Sequence, residues 1–236
     1  MLDPRRARLW EAMGLGPLWT ARTSAAAGRA ESAALTSHGT AVAPSEWEEL
    51  ERKVASCTAC ALSQTRTQTV FGVGNRNAEW MLVGEAPGAE EDARGEPFVG
   101  QAGKLLDNML AAVGLTRTGS DAHTVYIANV LKCRPPGNRN PAPDEVALCD
   151  PFLKRQIELV HPKLILVMGR FAAQSLLGTE ASIASLRGTV HHIDVAGRRV
   201  PVVVTYHPAY LLRNLADKAK SWADLCLARE VVATMG

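Results

Sequence analysis

A glycine-rich stretch that also carries carboxylates has the strongest potential for chemistry in this sequence. Residues 84–100 read GEAPGAEEDARGEPFVG, follow the apolar run Trp80–Val83 and precede a helical pattern. In α/β proteins, ligands bind outside the carboxyl ends of the strands, where backbone N–H groups and a helix N-terminus converge. Carboxylates repel phosphate, so a nucleotide-phosphate loop is the weaker interpretation. We favour a pocket that stacks a planar ring on Phe98 and uses Glu85 or Glu91 in recognition or chemistry.

Apolar runs and helical patterns alternate through the rest of the chain. This alternation predicts an α/β fold, a parallel sheet covered by helices on both faces. Polar motifs follow the strands at 84–92, 129–140, 169–170 and 207–208, so we expect them to meet at one edge of the sheet. The candidate strands are Trp80–Val83, Val125–Val130, Leu164–Met168 and Val200–Thr205, and the candidate helices are Lys104–Val113, Asp144–Val160, Arg170–Leu177 and Leu211 to the C-terminus.

Composition narrows the class of protein. The 236 residues suit one α/β domain with an appendage, and the net charge of +2 is too small to imply a partner. Nucleic-acid binding would therefore rest on a local patch. No apolar stretch approaches the roughly 18 residues of a membrane helix, and the N-terminus lacks the apolar core of a secretion signal. We expect a cytoplasmic protein with reduced cysteines.

The N-terminal region differs from the rest. Residues 1–22 have a weak amphipathic pattern, which predicts a short helix that docks on the domain or on a partner. Residues 23–44 are rich in Ala, Ser, Thr and Gly, a composition typical of a flexible linker. A helix is expected after Pro44 with Ser45 as its N-cap, so we expect the α/β domain to occupy residues 45–236.

Four of the five cysteines form a pattern. Cys57 and Cys60 make a C-x-x-C pair, Cys133 follows the second strand, and Cys149 lies in the next predicted helix. Sets of four reduced cysteines hold zinc or an iron–sulfur cluster. Structural zinc sites more often use two close pairs, so the scattered spacing favours a cluster, and the alternative is a set of buried thiols. Cys226 is most simply a small core residue.

Three motifs together resemble one known family. They are G-E-A-P-G-x-x-E-D-x-x-G-x-P-F-V-G at 84–100, N-V-L-K-C-R-P-P-G-N at 129–138 and H-P-A-Y-L-L-R at 207–213. This combination resembles the family 4 uracil-DNA glycosylases, bacterial and archaeal repair enzymes, from about residue 45 to the end. The resemblance implies a three-layer α/β/α fold with a central four-stranded parallel sheet. It also implies a [4Fe–4S] cluster on Cys57, Cys60, Cys133 and Cys149.

The resemblance assigns a uracil pocket. Uracil presents O4 as an acceptor and N3–H as a donor, whereas cytosine presents the reverse, so a fixed amide discriminates between them. This role falls on Asn129, whose alternative is a turn or cap asparagine. Glu85 would lie near C5 and exclude the methyl group of thymine, with Ala86 in the same pocket. Phe98 would stack on the flipped base, and its alternative is an ordinary core aromatic.

The resemblance also assigns the catalytic groups. Bond cleavage leaves negative charge on uracil and oxocarbenium character on the sugar, so a donor aimed at O2 stabilises the base, and we assign His207 to it. Glu91 and Asn138 are our candidates for stabilising the sugar or orienting water. Asp92 is the less certain one, since it could cap or bridge the loop. Uracil glycosylases that read Gly-Gln-Asp-Pro-Tyr carry a water-activating Asp where this chain has Ala86.

The expected partner is uracil-containing DNA, double- or single-stranded, bound by a monomer. Leu211 and Leu212 would wedge into the base stack, and Arg213 would reach a phosphate. Further positive charge near the pocket comes from Lys132, Arg134, Arg139 and Arg170.

Three other functions compete with a glycosylase. A related group traps DNA covalently through a histidine in an inserted loop, but residues 133–141 here contain neither. A zinc-stabilised binding module is the second. The third is a factor that uses residues 1–22 to dock on a replication or repair protein, which is compatible with catalysis.

Overall fold

The computed structural model describes residues 45–235, which are built around a six-stranded sheet. The strand order is β1-β3-β2-β4-β6-β5, and the four inner strands are parallel while the two edge strands run antiparallel to their neighbours. The predicted α/β class is confirmed, and the inner strands match the four expected ones. The strands are β1 Val73–Gly74, β2 Trp80–Gly84, β3 Tyr126–Asn129, β4 Leu164–Met168, β5 Val190–Val195 and β6 Arg198–Thr205.

Helices cover both faces of the sheet and give three layers. The helices are α1 Glu46–Ala55, α2 Ala89–Arg94, α3 Gln101–Ala112, α4 Pro143–Val160, α5 Arg170–Leu177, α6 Ile183–Leu186, α7 Pro208–Arg213 and α8 Lys218–Ala233. α4, α5 and α6 pack on one face and α3 and α8 on the other, because alternate strand residues point to opposite sides.

Two local features differ from the expectations. The last predicted helix is divided into α7 and α8 by a 3₁₀ turn at Leu215–Asp217. The Tyr210 hydroxyl donates to Asp217 Oδ2 at 2.7 Å, which holds the two helices at this break. The antiparallel edge strands β1 and β5 were not predicted, since β1 has only two residues and β5 carries the polar sequence VHHIDV.

The parallel strands bring their carboxyl ends to one edge, as expected. Gly84 at the end of β2 pairs with Asn129 at the end of β3, and Met168 pairs with Thr205 across β4 and β6. The loops that follow these strands therefore begin side by side.

Between residues 45 and 235, no helix has both the length and the apolar character needed to cross a membrane. The predicted amphipathic segment 1–22 and linker 23–44 lie outside the described residues.

Candidate active site

A cavity of about 460 Å³ lies at the carboxyl edge of the sheet, within the size range of small-molecule sites. Its walls come from the loops after β2, β3 and β6. Every residue that we predicted to be catalytic or to contact uracil lines this one cavity. The lining residues are Glu85, Ala86, Pro87, Gly88, Glu91, Phe98, Ala102, Asn129, Pro135, Asn138, Arg139, His207, Ala209, Tyr210 and Arg213.

Asn129 brings an amide into the cavity wall at the end of β3. The residue is 2% exposed, and its Oδ1 has no hydrogen-bond partner within the described part of the chain. A buried polar atom without a partner costs free energy, and such atoms are few in folded proteins. The arrangement leaves one acceptor ready for a ligand donor.

Phe98 packs beside Asn129 in an unusual backbone conformation. Its φ of 56° lies in the left-handed region, which is costly for a bulky residue. The ring is 5% exposed and stacks on His207, with centroids 5.4 Å apart and planes inclined by 26°. Both rings therefore line the same cavity and contact each other.

Glu91 holds the glycine-rich loop together. Its Oε2 accepts from the Gly88 N–H at 3.1 Å and its Oε1 accepts from the Val99 N–H at 3.0 Å. These bonds tie the start of α2 to the far end of the loop. Each carboxylate oxygen retains a second lone pair, so Glu91 can still accept from a group in the cavity.

Asp92 bridges this loop to the preceding segment. The residue is 4% exposed, and its two oxygens accept from the Thr67 N–H at 3.0 and 3.1 Å. Of the alternatives that the sequence left open, the structure favours the bridging one.

His207 caps α7 and is held as a neutral donor. Its Nδ1 accepts from the Ala209 N–H at 3.1 Å, so in the neutral ring the proton sits on Nε2. Burial lowers the pKa of His207 to about 4, a shift that Glu91 opposes and Arg213 reinforces. At neutral pH the ring can therefore donate one hydrogen bond from Nε2.

Glu85 directly follows β2 and lines the same cavity. Burial raises the pKa of Glu85 above its ordinary value, and the charge of Arg170 opposes this shift. Burial disfavours the charged form of this carboxyl group, and pKa shifts of this kind are common in functional sites.

The residues predicted to contact DNA fall into two groups. Leu212 and Arg213 are exposed beside the cavity, and Arg134 Nε donates to Asn138 Oδ1 at 2.7 Å, which orients that amide. Leu211 is 1% exposed and packs in the interior, so its prediction as a wedge is wrong in this conformation. The reason is that α7 turns this side chain inward while it turns Leu212 outward.

Two of the predicted basic residues bind other groups of the protein. Lys132 is 1% exposed, and its Nζ donates to Asn129 O at 2.7 Å and to Gln156 Oε1 at 2.6 Å. It is therefore an internal support for the end of β3 rather than a surface charge. Arg139 lines the cavity but forms a bidentate pair with Glu145.

The four patterned cysteines line a second, small cavity beneath the loop after β3. Its other walls are mainly apolar, and two donors face the sulfurs: Arg66 Nη1 lies 3.0 Å from Cys133 Sγ and the Lys132 N–H lies 3.3 Å from Cys149 Sγ. Burial raises the pKa of both thiols, that of Cys149 to about 11. Among residues 45–235, no three His, Cys, Asp or Glu side chains are arranged to hold a single metal ion.

Sequence reasoning missed two residues that shape the active-site cavity. Arg117, in the segment between α3 and β3, donates to the carbonyl oxygen of Phe98 at 2.9 Å. Tyr210 forms part of the cavity wall and stacks on Tyr206, with centroids 4.8 Å apart. Arg117 leaves no local signal, since a single arginine after a helix is ordinarily a surface residue, whereas Tyr210 lies within the motif at 207–213 and was not assigned a role from it.

Comparison with known proteins identifies the family. Residues 71–226 match the family described as the Uracil DNA glycosylase superfamily. The chain belongs to this superfamily. A type-4 uracil-DNA glycosylase of Archaeoglobus fulgidus is 48% identical over 169 residues, which cover 70% of this chain and 82% of that protein. A type-4 enzyme of Thermotoga maritima is 44% identical over 73% of this chain and 86% of its own length. The resemblance to family 4 is thus confirmed.

A more distant branch of the superfamily also matches. A type-5 uracil-DNA glycosylase of Pyrobaculum aerophilum is 32% identical over 151 residues, which cover 60% of this chain and 66% of that protein. Identity with the type-4 relatives is higher and extends over more of the chain, which places this chain on the type-4 side.

The burial of His207 predicts how its ring titrates. We expect an NMR titration of the ring to give a midpoint near pH 4 instead of the ordinary 6.5, with the resonance assigned from a His207→Gln variant. Because the unfolded chain binds this proton at higher pH, wild-type stability should fall between about pH 6.5 and 4. The His207→Gln variant should lose less stability over that range. A ring that titrates near 6.5 would contradict the neutral-donor assignment.

Proposed function

We propose that this chain hydrolyses the N-glycosidic bond of uracil in DNA and leaves an abasic site for base excision repair. The observation that carries the proposal is the cavity in which the unpaired Asn129 oxygen, the Phe98 ring and a neutral His207 converge. Its family membership and the names of the type-4 relatives support the same activity.

Recognition begins with a nucleotide that leaves the base stack. Flipping costs a few kcal/mol, which contacts in the pocket offset. The Asn129 oxygen would accept from uracil N3–H, and the Asn129 amide would donate to O4. Cytosine has the opposite pattern and would leave the buried oxygen facing its unprotonated N3. Stacking of the base on Phe98 contributes roughly 1–3 kcal/mol.

Discrimination against thymine would come from Glu85. Uracil and thymine share the same hydrogen-bonding edge and differ only by a methyl group at C5. Glu85 lines the cavity close to the ends of β2 and β3, so we assign it to the side of the base that carries C5. A methyl group at that position would clash with the partly buried carboxylate, so thymine would be excluded sterically.

Catalysis divides between the base and the sugar. As the bond breaks, its electrons move onto uracil, and the Nε2–H of His207 would donate to the O2 that gains negative charge. Glu91 and Asn138 line the cavity and would stabilise the positive sugar or orient the water that attacks C1′. Hydrolysis then gives free uracil and an abasic sugar, with no bond between protein and DNA.

The DNA surface would surround the cavity. Leu212 is 42% exposed and is the remaining wedge candidate, with Arg213 beside it and Arg134 near Asn138 for phosphate contacts. The proposal takes the enzyme to bind DNA as a monomer. Docking of residues 1–22 on a replication or repair protein stays a prediction.

Alkaline scission of an oligonucleotide with one uracil tests the activity. We expect scission with uracil and none with thymine. Asn129→Ala should lower kcat/KM about 5- to 150-fold, because the loss of one buried hydrogen-bond partner costs about 1–3 kcal/mol. Asn77→Ala, an exposed asparagine remote from the cavity, serves as the matched control. Absence of free uracil from the wild-type reaction would refute the proposal, and a denaturant-stable DNA adduct would indicate a trapping protein.

We further propose that Cys57, Cys60, Cys133 and Cys149 hold a [4Fe–4S] cluster. The residues fit this group because their side chains line one apolar cavity and two N–H donors face the sulfurs, as is usual around such clusters. A bound cluster would supply a covalent crosslink between the segment before β1, the loop after β3 and α4. This crosslink would hold the Arg134–Asn138 part of the loop against the domain.

Metal analysis of the anaerobically purified protein tests the cluster. We expect about four iron and four sulfide ions per chain, with a visible absorbance band that chelation removes. Cys149→Ser should lose iron and melt at lower temperature, whereas Cys226→Ser should keep both. Stoichiometric zinc without sulfide would contradict the cluster and favour a zinc site.

A further inference from the structure

Arg117 lies outside all three sequence motifs, yet its guanidinium contacts the backbone that carries Phe98. Its Nη1 donates to Phe98 O at 2.9 Å and to Pro97 O at 3.2 Å. Its Nη2 reaches Gly103 O at 3.5 Å. One side chain thus joins the end of the glycine-rich loop to the first turns of α3.

Acidic side chains hold the guanidinium in place. Arg117 Nε donates to Asp107 Oδ1 at 2.6 Å, and Glu96 Oε1 lies 3.7 Å from Nη1. The Arg117 side chain is only 12% exposed, although both carboxylates are about half exposed. Such a planar, multiply bonded fork cannot be reproduced by lysine, which offers a single charged nitrogen.

The backbone that Arg117 contacts is strained. Phe98 adopts a φ of 56°, which a bulky residue keeps only where its surroundings impose it. α3 approaches the same carbonyl so closely that a Cβ at Gly103 would lie 1.8 Å from Phe98 O. The Phe98 peptide is therefore held both by its contact with α3 and by the Arg117 fork.

The direction of the Phe98 ring depends on this conformation. In the left-handed region the side chain leaves the backbone toward the cavity and stacks on His207. Relaxation of φ to a negative value would redirect the Cα–Cβ bond and withdraw the ring. Contacts on the Phe98 carbonyl thus control a ring that they do not touch.

We propose that Arg117 is a positioning residue that keeps Phe98 left-handed and so holds the base-stacking ring in the uracil cavity. The part of this inference that concerns the base rests on the proposed function. The part that concerns the ring does not, because the Phe98–His207 stack is a contact between two side chains of the protein itself.

A double-mutant cycle with two readouts tests the inference. Arg117→Lys keeps the charge and loses the fork, and it is combined with Phe98→Ala. The first readout is the ring-current shift that Phe98 imposes on the His207 protons in NMR spectra. We expect Arg117→Lys to move these resonances toward their Phe98→Ala positions, and to move them little once Phe98 is already alanine.

The second readout is single-turnover uracil excision. We expect Arg117→Lys to slow excision about tenfold or more in the wild-type background and less than about twofold in the Phe98→Ala background, since the two residues act through one contact. Arg199→Lys, an exposed arginine on β6, is the control. If Arg117→Lys does not fold, Asp107→Asn loosens the same fork from its exposed side.

The outcomes separate the two claims. Unchanged His207 resonances in a folded Arg117→Lys protein, or losses that add fully in the double mutant, would overturn the positioning role. If the wild-type protein releases no uracil but Arg117→Lys still shifts the His207 resonances, the proposed function is overturned and the positioning role is retained.

Discussion

Gly84 ends β2 where the side chains of Asn129 and Phe98 meet, and it leaves the space that they share. A Cβ at this position would lie 2.4 Å from Asn129 Oδ1 and 2.6 Å from Phe98 Cζ. Both distances are shorter than van der Waals contact, so any other residue displaces the amide, the ring or both. Since Phe98 in turn stacks on His207, the position of all three groups depends on one missing side chain. The proposed uracil site thus depends on how closely the Asn129 and Phe98 side chains approach Gly84.

Three hydrogen bonds support the groups of the site, and one of them comes from a residue remote in sequence. Arg117 fixes the backbone of Phe98, the Ala209 N–H fixes the ring of His207, and Lys132 fixes the carbonyl of Asn129. Lys132 lies next to Cys133 and its N–H faces Cys149 Sγ, so one short loop serves both cavities. A cluster on the cysteines would therefore stabilise the segment that ends β3 as well as the loop that follows it. The proposed cluster would therefore have a structural role, and this role requires no electron transfer.

The sequence predicted much of this arrangement because strand and motif patterns are local. Alternating apolar runs gave the four inner strands, and the rule that parallel strands share a carboxyl edge brought the motifs together. Orientation was not predictable in the same way. Leu211 and Leu212 are neighbours with the same chemistry, and only the packing of α7 decides that Leu211 is buried. Lys132 and Arg117 look like surface charges in the sequence, and their internal partners lie 3 to 24 residues away. The short edge strand β1 has too few residues to carry a pattern.

Measurement of uracil excision by a Gly84→Ala variant tests the central claim most directly. We predict that kcat/KM falls at least about tenfold, the equivalent of about 1.4 kcal/mol, while the protein remains folded. Gly114→Ala is the control for an added Cβ outside the cavity, because it follows α3 and a Cβ there meets nothing within 4 Å. Its φ of +77° adds a backbone strain that Gly84→Ala does not have, so the control reports general destabilisation without a clash in the site. Full activity of folded Gly84→Ala protein would contradict the account, since it would mean that Asn129 and Phe98 need not occupy the positions described.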